Sequence, residues 1–97
     1  MIRLASGIYS FLNIKTGCRY IGQSRSLENR RKEHLRSLAR GDHHSKYLQR
    51  SVSTHGVDVL IYSVLEYCSV ETLTEREQYW LDYYRPAGLY NSAPVAD

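Results

Sequence analysis

The stretch from residue 6 to residue 23 constrains the fold most strongly, because it has the pattern of two strands joined by a turn. Two runs rich in β-branched and aromatic residues flank a turn sequence that contains asparagine, lysine and glycine. Tyr9 lies in the first run and Tyr20 in the second, and each has a glycine two residues away. Pairing of the strands would place the two phenols on one face, opposite each other or on a diagonal. From the hairpin alone, they are two half-buried tyrosines in a small sheet.

The length of 97 residues predicts one small domain. No apolar run is long enough to span a membrane, and the first residues do not resemble a signal peptide. Cys18 and Cys68 lie far apart and outside any metal-binding spacing, which favours free thiols in a reducing compartment. These features predict an intracellular, cytoplasmic protein that does not enter a membrane.

The positive charge is concentrated in one segment, although the whole chain carries only +3. Residues 25–40 hold six basic and two acidic side chains, which is a net charge of +4. A basic stripe on one helix is typical of a surface that binds a polyanion. A solvated helix face is the alternative interpretation, and it is the commoner reason for a run of charge.

The residues after the hairpin predict two helices and then a third strand. The first helix begins after Ser26, which is a good N-cap, and ends at Gly41. The second helix spans residues 45–55. Residues 57–66 form the third strand, which is apolar on both faces and is therefore expected to be covered, or nearly so, by helices on both sides. The tail, residues 87–97, is expected to be irregular.

The third helix carries an acidic residue on its apolar face. This helix begins at Ser69, or at a capping box formed by Thr72 and Glu75. Glu77 lies in the middle of the apolar face, where an ionised carboxylate costs roughly several kcal/mol unless it is paired. Two interpretations remain open: an ion pair with a core-facing arginine, or a ligand for a hard divalent metal ion such as Mg²⁺. The apolar face itself consists of Leu73, Trp80, Leu81 and Tyr84.

Arg30 and His34 lie one turn apart in the first helix, so they project from the same side. A guanidinium grips phosphate oxygens and an imidazole moves protons near neutral pH, which together indicate a phosphate site. Taken singly, a surface arginine and a satisfied histidine are the commoner interpretation of such residues. His43 and His44 are adjacent, but no cysteine or histidine partner has zinc-finger spacing, so structural zinc is not expected.

The sequences GIY at residues 7–9 and YIG at residues 20–22 resemble the two halves of the signature that names the GIY-YIG endonuclease family. The resemblance covers nearly the whole chain, with the landmarks in the family's order and spacing. Arg30 and His34 match an R-x-x-x-H helix, and the sequence around Glu77, EREQYW, looks most like the intron-homing, phage-type branch. The other matching positions are His43, in G-x-H, and Asn91, in L-Y-N.

The resemblance implies an α+β fold, a three-stranded antiparallel sheet flanked by about three helices, which agrees with the elements predicted above. It also implies a divalent-metal-dependent endonuclease that hydrolyses DNA phosphodiester bonds with Mg²⁺, or with Mn²⁺ in its place. Residues 1–97 would form a single nuclease domain without the separate DNA-binding region that homing members carry. A monomer from a bacterial or phage-type host is favoured, either as a stand-alone nuclease or as the catalytic part of a longer protein.

The resemblance further assigns chemical roles to side chains. Glu77 would hold the metal ion, Arg30 would bind the phosphate oxygens, and Tyr9 is the candidate base or proton relay. His34 or Tyr20 would share that proton transfer, and the identity of the base stays open. The full set of expected catalytic residues is Tyr9, Tyr20, Arg30, His34, His43, Glu77 and Asn91.

Two further expectations concern residues outside the chemical steps. Asn91 is expected to act structurally, by holding the tail against the third helix. The side chains expected to contact DNA are Arg25, Arg31, Lys32, Arg36 and Lys46.

Three other functions compete with hydrolysis. A catalytically silent nucleic-acid-binding module would keep the basic helix and tolerate the loss of Glu77. A strand-transfer enzyme would use Tyr9 as a covalent nucleophile. A structural protein would use its basic helix to bind an acidic partner. A plasmid-nicking assay with and without a chelator separates the first of these from an active nuclease.

Overall fold

The computed structural model describes residues 5–91, and its strands form one antiparallel sheet. The strands are β1 (Gly7–Asn13), β2 (Arg19–Ser24) and β3 (Leu60–Tyr67), and their order across the sheet is β2-β1-β3. The first two form the predicted hairpin, and β3 pairs with the free side of β1. The predicted three-stranded antiparallel sheet is therefore confirmed.

The helices are α1 (Leu27–Arg40), α2 (Lys46–His55) and α3 (Leu73–Tyr84). Their number and their order along the chain agree with the predicted α+β fold. Short 3₁₀ turns lie immediately before β3, before α3 and after α3. Within residues 5–91, no helix combines the length and the apolar character needed to cross a bilayer.

The helix ends show which capping predictions hold. The Ser45 hydroxyl accepts a backbone N–H in the first turn of α2, and Gly41 ends α1 in the left-handed region with a φ of 85°. Thr72 precedes α3, but its side chain makes no cap bond to the helix. Its hydroxyl instead donates to the Ser69 carbonyl at 3.0 Å, so the expected capping box with Glu75 does not form.

Helices cover both faces of the sheet, as the apolar third strand indicated. On one face, α1 and α2 pack against β1 and β2. On the other face, α3 packs against the same two strands. The buried members of the first cluster are Tyr9, Phe11, Tyr20, Leu27, Leu38, Leu48 and Val52. The buried members of the second cluster are Ile8, Ile21 and Leu73.

The most completely buried strand is β1. The prediction that helices cover β3 on both sides is wrong. Every residue of β3 is half-buried or exposed, and Ile61 and Tyr67 are among the exposed ones. The reason is topological, because β3 lies at an edge of the sheet while β1 lies between two neighbours. The strand also begins later than expected, since Val57–Val59 forms a 3₁₀ turn.

The first part of the tail runs along the outer edge of β2. The Arg19 N–H donates to the Gly88 carbonyl at 3.0 Å, and the Tyr90 N–H donates to the Arg19 carbonyl at 2.8 Å. Arg19 and Leu89 form a parallel bridge. The expectation of an irregular tail is therefore wrong for these residues, which cover an otherwise open strand edge. Residues 92–97 of that expectation lie outside the described residues.

Candidate active site

The register of the hairpin places the two signature tyrosines on one face of the sheet. Tyr9 lies opposite Gly22, and Phe11 lies opposite Tyr20, so the two phenols are diagonal neighbours. Their exposed fractions are only 2% and 8%, so they are more deeply buried than the hairpin sequence indicated. Both phenols face the helix α1, which carries the next landmarks.

The glycines of the two signature halves are required by close approach. A Cβ added to Gly22 would overlap the hydroxyl end of the Tyr9 ring, which lies across β2 at that position. A Cβ added to Gly7 would overlap the backbone carbonyl of Glu66 on β3. The first contact shapes the site, and the second allows β1 and β3 to pair.

A chain of hydrogen bonds runs from Tyr9 to the backbone of the loop between α1 and α2. His34 Nε2 lies 2.5 Å from the Tyr9 oxygen, and His34 Nδ1 lies 2.6 Å from His43 Nε2. The backbone N–H of Ser45 lies 3.0 Å from His43 Nδ1. Since a backbone N–H can only donate, we assign the proton of neutral His43 to Nε2, from which it donates to His34. His34 then carries its own proton on Nε2 and donates to Tyr9.

Burial keeps this histidine pair neutral, in agreement with the assigned tautomers. Burial, followed by the charges of Arg30 and His43, lowers the pKa of His34 to about 3. Burial, followed by the charge of His44, lowers the pKa of His43 to about 4. Burial also raises the pKa of Tyr9, with Tyr20 adding to the rise and Arg30 opposing it.

Arg30 is the positively charged group that affects the pKa values of His34 and Tyr9. Its half-buried side chain forms an ion pair with Glu33, at 2.9 Å. Its positive charge lowers the pKa of both Tyr9 and Tyr20, against the larger effect of burial. Arg30 and His34 therefore face the same site, as their spacing of one turn predicted.

Glu77 approaches the site from α3, on the other face of the sheet. The carboxylate is half-buried and accepts a hydrogen bond of 2.6 Å from Gln23 Nε2. Side chains alternate along β2, so Gln23 lies on the face opposite to Tyr20. The negative charge of Glu77 raises the pKa of Tyr9 and of Tyr20, which couples it to the phenols across the strand.

The interpretation of Glu77 as one half of a buried ion pair is wrong. Within residues 5–91 it forms no ion pair, and its hydrogen-bond partner is a neutral amide. Arg76, its neighbour on α3, is instead bound by Glu66 at 2.8 Å. No group of three or more histidine, cysteine, aspartate or glutamate side chains in this part of the chain has a metal-binding arrangement. A lone carboxylate fits Mg²⁺, which keeps several water ligands.

Asn91 uses both atoms of its amide on the backbone of Ile21. Its Oδ1 accepts the Ile21 N–H at 2.8 Å, and its Nδ2 donates to the Ile21 carbonyl at 2.5 Å. The expectation of a structural role therefore agrees with its contacts. The expectation that it holds the tail against α3 is wrong, because it holds the tail against β2.

The basic side chains expected to contact DNA fall into two groups. Arg31 is paired with Glu28 and lies over the Tyr62 ring, 5.8 Å from its centroid, on the side of α1 that faces β3. Arg31 thus lies beside Tyr62, whereas Arg30 acts on Tyr9. The other four are exposed and have no acidic partner among residues 5–91; they are Arg25, Lys32, Arg36 and Lys46.

His44 is a residue of the site that the sequence did not assign to it. Its Nε2 lies 2.7 Å from the Tyr20 oxygen, and its ring stacks on that of His43 with 4.4 Å between the centroids. A histidine in a short loop has no periodic neighbours, so only its adjacency to His43 was visible.

The sheet, its helices and the grouped tyrosines, histidines, arginine and glutamate define a GIY-YIG catalytic domain. Residues 5–91 match the model of that domain, and the chain belongs to the GIY-YIG family. Its fold is similar to that of the catalytic domain of the homing endonuclease I-TevI, with a TM-score of 0.78 and 32% identity over 95% of this chain and 99% of the other. A glutamate-to-alanine mutant of that domain gives a TM-score of 0.77, with 88% of this chain and 91% of the other covered.

Two curated relatives are similar in sequence. Intron-associated endonuclease 1 of Enterobacteria phage T4 is 38% identical over 80 residues, which are 80% of this chain and 32% of the relative. Probable intron-encoded endonuclease 1 of Neurospora crassa is 27% identical over 103 aligned residues, which cover 99% of this chain and 33% of the relative. The chain thus spans about a third of the length of these relatives.

Proposed function

We propose that the chain is the catalytic domain of a homing-type endonuclease that hydrolyses DNA phosphodiester bonds with a divalent metal ion, Mg²⁺ or Mn²⁺ in its place. The observation that carries this proposal is the grouping of one guanidinium and one carboxylate around two buried phenols. Arg30 lowers and Glu77 raises the pKa of Tyr9 and of Tyr20, so both phenols lie within the influence of the two charged groups. The similarity to intron endonucleases supports DNA as the substrate.

Arg30 is the group proposed to bind the phosphate. A guanidinium forms paired hydrogen bonds with phosphate oxygens and stays charged as negative charge develops on them. Its surface ion pair with Glu33 is an exposed one between residues three apart, of the kind that contributes about 0–1 kcal/mol. DNA can therefore displace Glu33 from Arg30 at little cost.

Glu77 is the group proposed to hold the metal ion. The amide of Gln23 fixes one carboxylate oxygen from β2, and the helix α3 fixes the backbone from the other side. When bound, the metal ion neutralises charge on the phosphate and on the leaving 3′ oxygen. One carboxylate favours a single ion rather than a pair.

The proton of the attacking water must pass to a base. The tautomers assigned to His34 and His43 reduce the number of side chains that could be this base. His34 donates through Nε2 to Tyr9, and its Nδ1 accepts from His43, so neither nitrogen is free to accept a proton. The two phenols remain as candidates, and Tyr9→Phe tests the first of them. This variant keeps the ring that packs in the core and removes only the hydroxyl, so a fall in rate of about 10²–10⁴ would identify a proton-transferring group.

The experiment that tests the proposal measures the relaxation of supercoiled plasmid by the wild-type chain. We expect cleavage in Mg²⁺, none after addition of EDTA, and recovery when Mg²⁺ or Mn²⁺ is added in excess. Cleavage that continues unchanged in EDTA would contradict the metal-dependent proposal. Absence of cleavage, with retained DNA binding, would instead support the silent binding module.

The covalent strand-transfer alternative has little support in the geometry of Tyr9. The side chain is 2% exposed, its oxygen is hydrogen-bonded to His34, and β2 covers it at Gly22. Plasmid products resolved on a denaturing gel test this point directly. A protein band that remains attached to DNA would establish a covalent intermediate, and free DNA ends would exclude it.

The remaining predictions concern the setting of the domain rather than its chemistry. A structural protein that binds an acidic partner through α1 would show binding independent of nucleic acid and no effect of metal ions on stability. The monomeric state and the intracellular location stay predictions made from the sequence.

A further inference from the structure

The two phenols of the site have different histidine partners. Tyr9 is hydrogen-bonded to the buried His34. His34 is in turn hydrogen-bonded to His43, which accepts the backbone N–H of Ser45. Tyr20 is bonded to His44, at 2.7 Å. His44 is exposed, and within residues 5–91 no group is hydrogen-bonded to its Nδ1. His34 is thus enclosed within the protein, whereas His44 is in contact with solvent.

The direction of the hydrogen bond also differs between the two pairs. Tyr9 receives a hydrogen bond from His34, as the backbone N–H of Ser45 dictates. No hydrogen bond from residues 5–91 constrains His44 Nδ1 in this way, so the direction of the hydrogen bond depends on which group is the stronger donor and which the stronger acceptor. A phenol is the better donor and an imidazole nitrogen the better acceptor, so Tyr20 donates to His44 Nε2. The Tyr20 oxygen then keeps its lone pairs for a water molecule.

From this geometry we infer that Tyr20 and His44 form the route by which the proton of the attacking water leaves the site. The inference rests on the proposed hydrolysis. Tyr20 contacts the water, and His44 acts through Tyr20 without contacting the reacting atoms. Tyr9 is not on this route, because its histidine partner has no free acceptor nitrogen.

Two coupled proton transfers accompany the attack of the water molecule on phosphorus. The water oxygen bonds to phosphorus while one water proton passes to the Tyr20 oxygen. The Tyr20 proton passes at the same time to His44 Nε2, so the phenol stays neutral and the imidazole becomes an imidazolium. The bond from phosphorus to the 3′ oxygen breaks, and that oxygen takes a proton from solvent. The imidazolium releases its Nδ1 proton to bulk water, and exchange with solvent then moves the remaining proton from Nε2 to Nδ1, which restores the starting tautomer.

The surroundings of His44 suit this role. The His43 ring stacks on it at 4.4 Å and fixes its orientation towards Tyr20. Partial burial and the positive charge of Arg30 lower the pKa of His44. The ring is therefore neutral and able to accept at pH 7, and as an imidazolium it releases its proton readily.

The test compares His44→Ala and His44→Gln with the wild type in plasmid cleavage with Mg²⁺. Glutamine can accept the hydrogen bond of Tyr20 but cannot pass a proton on, so both variants should lose about 10- to 100-fold in kcat with little change in KM. Free imidazole should accelerate His44→Ala, because the vacated position is open to solvent. His55→Ala is the matched control, since His55 is an exposed histidine at the end of α2.

The outcomes separate this inference from the proposed function. A wild-type rate for His44→Ala, or full recovery in His44→Gln, would overturn the relay and leave the nuclease proposal intact. A wild-type chain that does not cleave DNA in Mg²⁺ would overturn the nuclease proposal itself.

The pairing can also be measured without substrate. Nitrogen-15 NMR at pH 8 should show His44 Nε2 without a proton, and Tyr20→Phe should shift its resonance. A neutral His44 with its proton on Nε2 would contradict the inferred direction of the hydrogen bond.

Discussion

Gly22 has the most restricted position in the signature, because the Tyr9 phenol lies where its side chain would be. The glycine allows the Tyr9 oxygen to extend over β2 towards Tyr20 and the histidines. A residue with a Cβ would push the phenol away from His34 Nε2, to which it is bonded at 2.5 Å. The sequence motif is therefore a consequence of one side chain crossing a neighbouring strand.

Replacement of Gly22 by alanine should reduce cleavage more than it reduces folding. We expect a loss of activity of about tenfold or more in the folded fraction, since the displaced phenol would shift the catalytic groups packed around it, and a small misplacement of such groups is costly. The comparison is Gly7→Ala, where the added Cβ meets the backbone of Glu66 and not a phenol. Cleavage rates corrected for the folded fraction should fall in the first variant only. Equal specific activities in the two variants would refute this explanation of the glycine.

At the residue level, the sequence pointed to most of the side chains that the structure brings together, but not to all of their contacts. Tyr9, Arg30 and Glu77 were visible because their types and spacing match a known pattern. The bond between Tyr20 and His44 was not visible, because it depends on how the loop after α1 folds back over β2. The neutral partner of Glu77 was missed for the same reason, since Gln23 is distant in sequence.

At the level of elements, α1 delivers both a charged and a neutral group to the same site. Arg30 lies at the border of the buried face, whereas His34 is only 2% exposed within it. This burial has a measurable consequence for stability. The unfolded chain binds a proton at His34 and His43 below about pH 6.5, whereas the folded chain does not until pH falls to about 3 and about 4.

The free energy of unfolding should therefore decrease as the pH is lowered from about 6.5 to about 4. Each of the two histidines contributes a slope of about 1.4 kcal/mol per pH unit in that range. Urea unfolding at a series of pH values measures the slope. His34→Gln should make it shallower, and His55→Ala should leave it unchanged. Constant stability between pH 7 and pH 4.5 would show that the two rings take up protons in the folded state at the same pH as in the unfolded chain.

The segment 88–91 acts as a cover for the outer edge of β2. Asn91→Ala removes both hydrogen bonds to Ile21 and should lower the free energy of unfolding by about 1–3 kcal/mol. Asn29→Ala, on the exposed side of α1, is the control and should have little effect. Because the Asn91 side chain makes its hydrogen bonds within residues 5–91 to backbone atoms of Ile21, we expect the folded variant to keep its cleavage rate. Loss of cleavage without loss of stability would give Asn91 a catalytic role.

The helices and strands could be predicted where local sequence signals set their ends. They were less predictable where their environment depends on how the strands pair. Gly41 ends α1 and Ser45 caps the start of α2, as their sequence positions predicted, whereas the Ser26 side chain makes no cap hydrogen bond to α1. The apolar sequence of β3 indicated helices on both faces, but its edge position depends on pairing with β1. The closing segment 88–91 was missed because a single parallel bridge has no sequence pattern.

At the level of the whole molecule, the site is built around β2, which has one helical layer on each face. The α1 side supplies Arg30, the histidines and the phenols, and the α3 side supplies Glu77. The four exposed cations expected to contact DNA lie in α1, in α2 or just before α1. This arrangement predicts weak, salt-dependent binding of DNA by a limited number of phosphate contacts.

The salt dependence of DNA binding counts those contacts. With phosphate contacts from Arg30 and from the four exposed cations, log Kobs should fall against log salt with a slope of about −4.5, which is about −0.9 per contact. Arg36→Ala should reduce the slope by about 0.9, whereas Arg85→Ala, paired with Asp82 at the end of α3, should not change it. Fluorescence anisotropy over a salt series measures both. A slope near zero would exclude the proposed surface.

The central claim is that the carboxylate of Glu77 serves the chemistry at the phenols, and one comparison tests it most directly. Glu77→Gln keeps the shape of the side chain, and Glu75→Gln makes the same change at an exposed position of α3. Plasmid cleavage in Mg²⁺ should fall by about a hundredfold or more in the first variant and stay at the wild-type rate in the second. Both variants should unfold at the wild-type urea concentration. Cleavage by Glu77→Gln as fast as by Glu75→Gln would contradict the account.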